Sequence, residues 1–566
     1  MSPDTVRLAR PHAELRARYD AVVIGSGYGG GVAASRLARA GKRVCVLERG
    51  REYVTGEFPQ KFPEVRAALQ VTGKRLRMGS EAALYDVRLG EDMHVLVGCG
   101  LGGGSLVNAG VALRPNARVF ADPAWPGQIA QDGLLDEGYR RAEAWLAPSA
   151  DPAAATRTKF RALDQASRAV GVAPVAPRIA VNFTGGTNAA GIAQPACTGC
   201  GDCCGGCNVG AKNTVALTYL PDARRHGAEI FTHVKVTHVE KAAGGGWRVA
   251  LRASDNTATG LPESITADVV VVAAGTLGST EILLRSREKG LALSDRLGSR
   301  FSANGDIIAF GYGAKLAVNA IGVGHPFKPG LDAVGAAVTG QIEVDDATTL
   351  ANELRVQEGV LPSALAPMLP VMFVPNGRLL GALQSLIAGV YKGPLASLQT
   401  FFAVSHDSAA GRFHLDGDRL ALAWPNAADE PVYKRLDEIL TKLVREVGGG
   451  YLKNPLAGTV MGHQPATAHP LGGCSMGADS GSGVVDHKGR VFSSATSTAD
   501  THAGLYVIDG AVIPRSLGVN PLLTITALAE RAMIHMGGDL GFTADAAPRP
   551  TAQPVAADEP GRLAAP

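Results

Sequence analysis

Aromatic residues are scarce in this 566-residue chain, at 5%, and the charges nearly cancel: 55 Lys and Arg against 52 Asp and Glu leave a formal net charge of +3. So small an excess, with no basic run longer than a few residues, excludes the electrostatic footprint of a nucleic-acid-binding protein. Nowhere do about 18 apolar residues follow one another, so no membrane-spanning helix is expected. The first twenty residues, MSPDTVRLARPHAELRARYD, contain neither an apolar core nor a small-residue cleavage site and do not read as a leader. Together with eight cysteines, this leads to the expectation of a cytoplasmic protein in a reducing compartment, where clustered cysteines point to metal or catalysis before disulfides.

Glycine is abundant, with 71 residues gathered in discrete loops, which excludes a collagen-like or low-complexity chain. The length exceeds what one core usually supports, so two intertwined regions are expected. Ala21-Val22-Val23-Ile24 reads as a buried parallel strand, Val32 to Ala40 as a helix and Arg43 to Leu47 as a second strand. Asp268 to Ala274 and Leu505 to Ile508 add buried strands that close on glycine, far away in the chain. Residues 412–424 alternate like antiparallel strands and 432–447 have helical periodicity. The expected fold class is therefore α/β: a Rossmann-like dinucleotide-binding domain assembled from residues 1–120, 195–310 and 460–542. Residues 121–194 and 311–459 form an inserted α+β substrate domain built on an antiparallel sheet. The Ala/Pro-rich residues 543–566 read as a disordered tail.

Gly25-Ser26-Gly27-Tyr28-Gly29-Gly30 fits G-x-G-x-x-G directly after a strand and before a helix. Gly25 permits the tight turn, Gly27 lets backbone approach a pyrophosphate, and Gly30 allows close helix–strand packing. The helix N-terminus supplies unpaired N–H groups to phosphate, and Glu48, ending the second strand, is placed to accept from both ribose hydroxyls. A second loop, Gly98 to Asn108, contains Gly102, Gly103, Gly104, Ser105 and Asn108, and lets backbone approach a flat ring system. No second strand–turn–helix fingerprint exists for another nucleotide.

Cys197, Cys200, Cys203 and Cys207 have C-x2-C-x2-C-x3-C spacing, like one bacterial ferredoxin run, with Asn208 where proline is usual and Cys204 as a fifth thiol. A [3Fe-4S] or [4Fe-4S] cluster, reduced structural thiols, and zinc or a disulfide all stand open; zinc ranks lower because its knuckles are normally separated by a longer loop.

The fingerprint, Gly98 to Asn108, VVVAAGTLGSTEILL at Val270 to Leu284 with Arg285, His469-Pro-Leu-Gly-Gly-Cys474, LYVIDGAVIP at Leu505 to Pro514, and Val519-Asn-Pro-Leu-Leu-Thr-Ile-Thr526 together resemble the glucose–methanol–choline (GMC) oxidoreductase family, most closely its bacterial cholesterol-oxidase branch. The match weakens over residues 120–190 and 311–400. The resemblance implies FAD on the first fingerprint, with Val236, Asp509 and Gly510 added to the cofactor-binding set; the second glycine loop has no histidine for covalent attachment, so a dissociable cofactor is expected. It implies a catalytic pair, His469 and Asn520, that orients or deprotonates an alcohol while hydride leaves for the flavin. The helix after Pro521 is expected to aim its positive end at the flavin. Glu358 stands where the family carries a carboxylate that shifts the steroid double bond, with an ordinary loop carboxylate as the alternative; His463 is a pocket-lining candidate. The implied substrate is a sterol or similarly bulky alcohol. The implied acceptor is oxygen, or a quinone or cytochrome if the cysteines hold a cluster and the substrate is a sugar or other alcohol. The apolar stretch Gly359 to Tyr391, with Leu379 to Ile387 at its centre, reads as core packing, a lid or a peripheral membrane contact.

Overall fold

The computed structural model describes residues 7–372, 389–392, 394–453 and 464–549. Strand β1 (Arg18–Ile24) runs into helix α1 (Tyr28–Arg39) and strand β2 (Val44–Leu47). Strands β3 (Glu229–Phe231), β4 (Val234–Lys241), β5 (Trp247–Ala253) and β6 (Ser264–Val272) follow, then helix α2 (Gly275–Glu288). The strands form one sheet in the order β4-β5-β6-β1-β2-β3. β1 lies parallel between β2 and β6, with Ile24 level with Leu47 and Val272. Their apolar character is continuous because both faces are covered, and their carboxyl ends open together where ligands sit in such sheets.

The second region holds β7 (Ile307–Tyr312), β8 (Gln341–Val344), β9 (Leu354–Glu358), β10 (Gln399–Val404), α3 (Pro431–Glu446) and β11 (Gly450–Leu452). Its five strands pair antiparallel in the order β8-β9-β10-β7-β11. α3 buries Leu436, Leu440, Leu443 and Val444, the helical pattern expected for 432–447. The alternation of 412–424 becomes a separate hairpin of Arg412–Asp416 and Arg419–Ala423. The chain then returns to the first sheet: β12 (Thr501–Val507) pairs parallel with β6, and α4 (Leu522–Leu540) follows. α4 packs on α1 through a fully buried Arg36–Glu530 ion pair, 2.5 Å. Among the described residues no helix is long and apolar enough to cross a membrane.

Two expected boundaries need correction. Helix Leu134–Leu146 does not join the substrate sheet; it packs on α4, so tightly that a Cβ at Gly138 would lie 2.2 Å from Ala527 O. Of the expected disordered tail, Thr543 to Arg549 is pinned: Trp145 Nε1 donates to Ala546 O (2.8 Å), Arg39 Nη1 to Asp545 Oδ2 (2.8 Å), and Arg549 N to Ala189 O (2.9 Å). Residues 550–566, His463 and Leu379 to Ile387 lie outside the described residues.

Candidate active site

Two glycine turns face each other at the carboxyl end of β1. Gly25, at φ +93°, lies so close to the end of β6 that a Cβ would sit 2.3 Å from Ala273 O; a Cβ on Gly30 would sit 2.0 Å from Gly25 O. Across the gap, Gly103 (φ +56°) places its absent Cβ 2.8 Å from Gly27 Cα, while Gly104 borders open space. α1 starts with no side-chain cap and no acid in its first turn, so its N–H groups are free for an anion. Glu48, buried, braces the turns: Ser26 N (3.2 Å), Ser26 Oγ (2.6 Å) and Gly50 N (2.7 Å) donate to its carboxylate, and Gly102 N donates to Ser26 Oγ (2.9 Å). A carboxylate has about four acceptor positions, so Glu48 retains capacity for a hydroxyl. Val236 lies on β4, whose Val234 N donates to Glu48 O (2.9 Å). This uncapped, side-chain-free cradle with an acid at the next strand end fits an FAD pyrophosphate and ribose.

Other expected cofactor residues brace backbone. Ser105 Oγ donates to Gly102 O (2.6 Å) and accepts from Val215 N (3.0 Å), and Asn108 Nδ2 donates to Tyr28 Oη (2.8 Å). Asp509 accepts from Gly275 N (2.7 Å), Ser279 Oγ (2.5 Å) and Ala511 N (2.8 Å), joining α2 to the turn at Gly510; burial raises its carboxyl above the usual range.

His469 and Asn520 meet: Asn520 Nδ2 lies 3.4 Å from His469 Nε2. One loop, Phe301 to Asp306, fixes both. Asn304, in a left-handed backbone conformation (φ 58°), donates from Nδ2 to Val519 O (2.8 Å) and accepts from Leu517 N (2.8 Å). Asp306 Oδ2 accepts from Ala468 N (2.8 Å) and Thr467 Oγ1 (3.2 Å), and lies 3.2 Å from His469 Nδ1. Asn520 lies two residues before α4, whose N-terminus carries no side-chain cap.

The structure does not bring Glu358 to this pair. Successive strand residues point to opposite faces, and on β9 it is Gln357 that faces inward, donating from Nε2 to Asn520 Oδ1 (2.6 Å). Glu358 turns the other way into a buried ion pair with Lys159 (2.7 and 2.8 Å to its two oxygens) and accepts from Thr339 N, Thr339 Oγ1 and Gly340 N. Burial pushes its carboxyl up and the Lys159 ammonium down despite the pairing. Gln357, Asp306 and Asn304 were not anticipated; the alternation of Val-Gln-Glu in a strand was the one available signal for the first.

None of the eight cysteines is joined in a disulfide. Burial raises the thiols of Cys197 and Cys204 to about 12, and those of Cys200 and Cys203 upward, each reinforced by a neighbouring cysteine, while Lys212 opposes the rise at Cys203 and Cys204. Among the described residues no three cysteine sulfurs lie within 4.8 Å of one another. Lys212 Nζ, buried, ties this loop to the second glycine turn by donating to Cys203 O (2.8 Å), Leu106 O (2.8 Å) and Asn108 O (3.0 Å). Asp132, His487 and His535 do converge, but Arg531 donates to Asp132 and its guanidinium lies 3.0 Å from His487 Nδ1, filling the space with a cation. A charged cavity of about 270 Å³ lies elsewhere, between Arg77, Lys235, Arg252 and Glu281, and neither His469 nor Asn520 lines it.

A dinucleotide cradle joined to an antiparallel substrate sheet, with a histidine–asparagine pair held between their loops, defines a two-domain flavoprotein oxidoreductase. The chain belongs to the GMC oxidoreductase family: the family's N-terminal model matches residues 19–302 and its C-terminal model 431–529. It acts on alcohols, and the family generally binds FAD. Over 92% of its length it is 28% identical to a cholesterol oxidase of Acinetobacter baumannii (94% of that protein) and 29% identical to one of Mycobacterium tuberculosis (91%). A long-chain-alcohol oxidase of Arabidopsis thaliana is 25% identical over 93% of this chain and 68% of its own. Among solved structures, pyridoxine 4-oxidase from Mesorbium loti superposes with a TM-score of 0.57 at 17% identity, covering 92% of this chain and 99% of the other, which speaks for the fold.

Proposed function

We propose that this protein oxidises the hydroxyl of a sterol or similarly bulky, lipid-like alcohol to a ketone, with oxygen as the final acceptor. The observation that carries the reading is the contact between His469 and Asn520 at the junction of cradle and sheet. FAD, held by Gly25, Gly27, Gly30, Glu48 and the Gly102–Ser105 turn, supplies the hydride acceptor when bound. His469 takes the hydroxyl proton at its ring, and Asn520 orients the substrate oxygen. Gln357 holds the Asn520 amide, and the burial of these two keeps water from competing for the amide, while the His469 side chain stays 18% exposed. Support for a lipid-like substrate comes from relatives named for cholesterol and long-chain alcohols. Isomerisation of the product is not part of the proposal, since a neutral amide stands beside Asn520 where that step needs a carboxylate.

A second reading changes only the acceptor. Cys197, Cys200, Cys203 and Cys207 act on one another electrostatically, and Lys212 links them to the second glycine turn. Their C-x2-C-x2-C-x3-C spacing is that of one ferredoxin run, and a multi-iron cluster there would serve a dehydrogenase that passes electrons to a quinone or cytochrome. Purification without oxygen, iron and sulfide quantification, and spectra before and after cholesterol separate the two. Iron-free protein whose flavin is bleached by cholesterol and restored by air supports the oxidase. About three or four irons per chain supports the second reading, and an iron-free flavin that ignores cholesterol removes the sterol.

A further inference from the structure

A continuous chain of polar side chains runs from the rim of the substrate sheet to the paired histidine, and its direction is fixed at both ends by carboxylates. Gln341 Nε2 donates to Glu343 Oε1 (2.5 Å). A carboxylate accepts only, so the Gln341 amide must point its nitrogen outward and its oxygen inward. Gln341 Oε1 then accepts from Gln357 Nε2 (3.0 Å), whose second proton goes to Asn520 Oδ1 (2.6 Å). Asn520 is thereby oriented with Nδ2 toward His469, so Nε2 of the ring must accept (3.4 Å). The ring proton is left on Nδ1, which is buried, makes no hydrogen bond of good geometry, and faces Asp306 Oδ2 at 3.2 Å.

We propose that Asp306 and the Glu343–Gln341–Gln357–Asn520 chain are positioning residues that lock His469 in the tautomer with a proton on Nδ1 and a bare Nε2. The inference deepens the alcohol-oxidising reading of this site and depends on it only for its kinetic arm. The tautomer decides whether the histidine can act at all: only a bare Nε2 facing Asn520 and the substrate can take a hydroxyl proton, while the opposite tautomer would present an N–H there. Asp306 is suited to its task because Ala468 N and Thr467 Oγ1 already hold its Oδ2 in place. The flanking left-handed residues Asn304 (φ 58°) and Gly305 (φ 55°) set the loop so that Asn304 grips the Asn520 loop while Asp306 grips the His469 loop. A Cβ on Gly305 would meet Ser405 C at 2.8 Å, so this loop has one path.

The test uses FAD-loaded full-length protein with nitrogen-15 histidine and reads the ring nitrogens by NMR, with the His469 signals assigned by their loss in His469→Gln. The expected wild-type result is a protonated Nδ1 and a bare Nε2. In Asp306→Asn the new amide can donate to Nδ1, which reverses the tautomer. The rate constant of flavin reduction by alcohol is then expected to fall on the order of 10³- to 10⁴-fold with KM within a few-fold, as for carboxylate-to-amide changes beside a histidine base. Asp306→Glu, which restores an acceptor, is expected to keep the wild-type tautomer and recover part of the rate. A wild-type ring protonated on Nε2 overturns the proposal without any variant. So does an Asp306→Asn protein that folds, binds FAD and keeps both its tautomer and its rate. The tautomer is read without substrate, so a correct tautomer with no alcohol turnover would sink the functional reading alone.

Discussion

Glu358→Gln separates a structural carboxylate from a catalytic one. The substitution keeps the shape of the side chain and the oxygen that serves Thr339 N and Gly340 N, but it removes the negative charge facing Lys159. That ammonium lies 2.7 and 2.8 Å from the two carboxylate oxygens, and its side chain is 1% exposed. Leaving one member of a buried pair uncompensated costs about 3–5 kcal/mol. At about 2–4 °C per kcal/mol for a cooperative unit of domain size, Tm falls by roughly 6–20 °C. Adding Lys159→Met removes the stranded charge, and the double variant is expected to regain a large part of the loss through non-additivity. The assays are thermal unfolding of the FAD-loaded protein and stopped-flow flavin reduction well below Tm. Because Gln357 and not Glu358 meets Asn520, the reduction rate is expected to stay within about threefold of wild type. A variant with unchanged Tm whose flavin reduction drops about 100-fold or more would refute this reasoning and return Glu358 to the chemistry.

Gly103→Ala puts a Cβ 2.8 Å from Gly27 Cα at a φ of +56°. Strain of about 1–3 kcal/mol weakens FAD binding by roughly tenfold or more, measured by titrating apoprotein, and an unchanged Kd would mean the facing turns do not hold the cofactor. Burial, helped by Arg515 and Arg531 respectively, depresses His406 and His535 from 6.5 to about 4. The unfolded chain then binds these two protons first. Stability is full above pH 6.5 and falls as pH drops toward about 4, by up to about 1.4 kcal/mol per pH unit for each histidine, less for the partly exposed His535. Denaturant midpoints across that range check the slope, and a flat profile in His406→Gln alone would assign the larger share to His406.

The nucleotide-binding half was legible because its signals are local. Strand, glycine turn, helix and terminal acid occupy Ala21 to Glu48, and each residue type is demanded by its own backbone position. Asp509 was legible as part of a strand ending on glycine, though the hydrogen bonds it accepts come from two backbone N–H groups and the Ser279 hydroxyl. The proximity of His469 and Asn520 was legible only through resemblance, since nothing local relates the two residues. Glu358 went astray for a physical reason: in a β-strand a one-residue shift exchanges faces, and the register of β9 against β8 and β10 is set by partners far away in the chain. Asp306 and Asn304 were illegible because their importance lies in which loops they bridge, and that follows from the assembled fold alone.

The most direct test of the functional reading is anaerobic mixing of FAD-loaded protein with cholesterol and, separately, a long-chain primary alcohol, following flavin absorbance for wild type and His469→Gln. The expected result is rapid bleaching of the wild-type flavin by at least one of the two. In His469→Gln the rate should fall about 10²- to 10⁴-fold, the typical worth of a general base. Equal bleaching in both proteins would contradict the role of His469, and a wild-type flavin indifferent to both alcohols would contradict the lipid-like substrate.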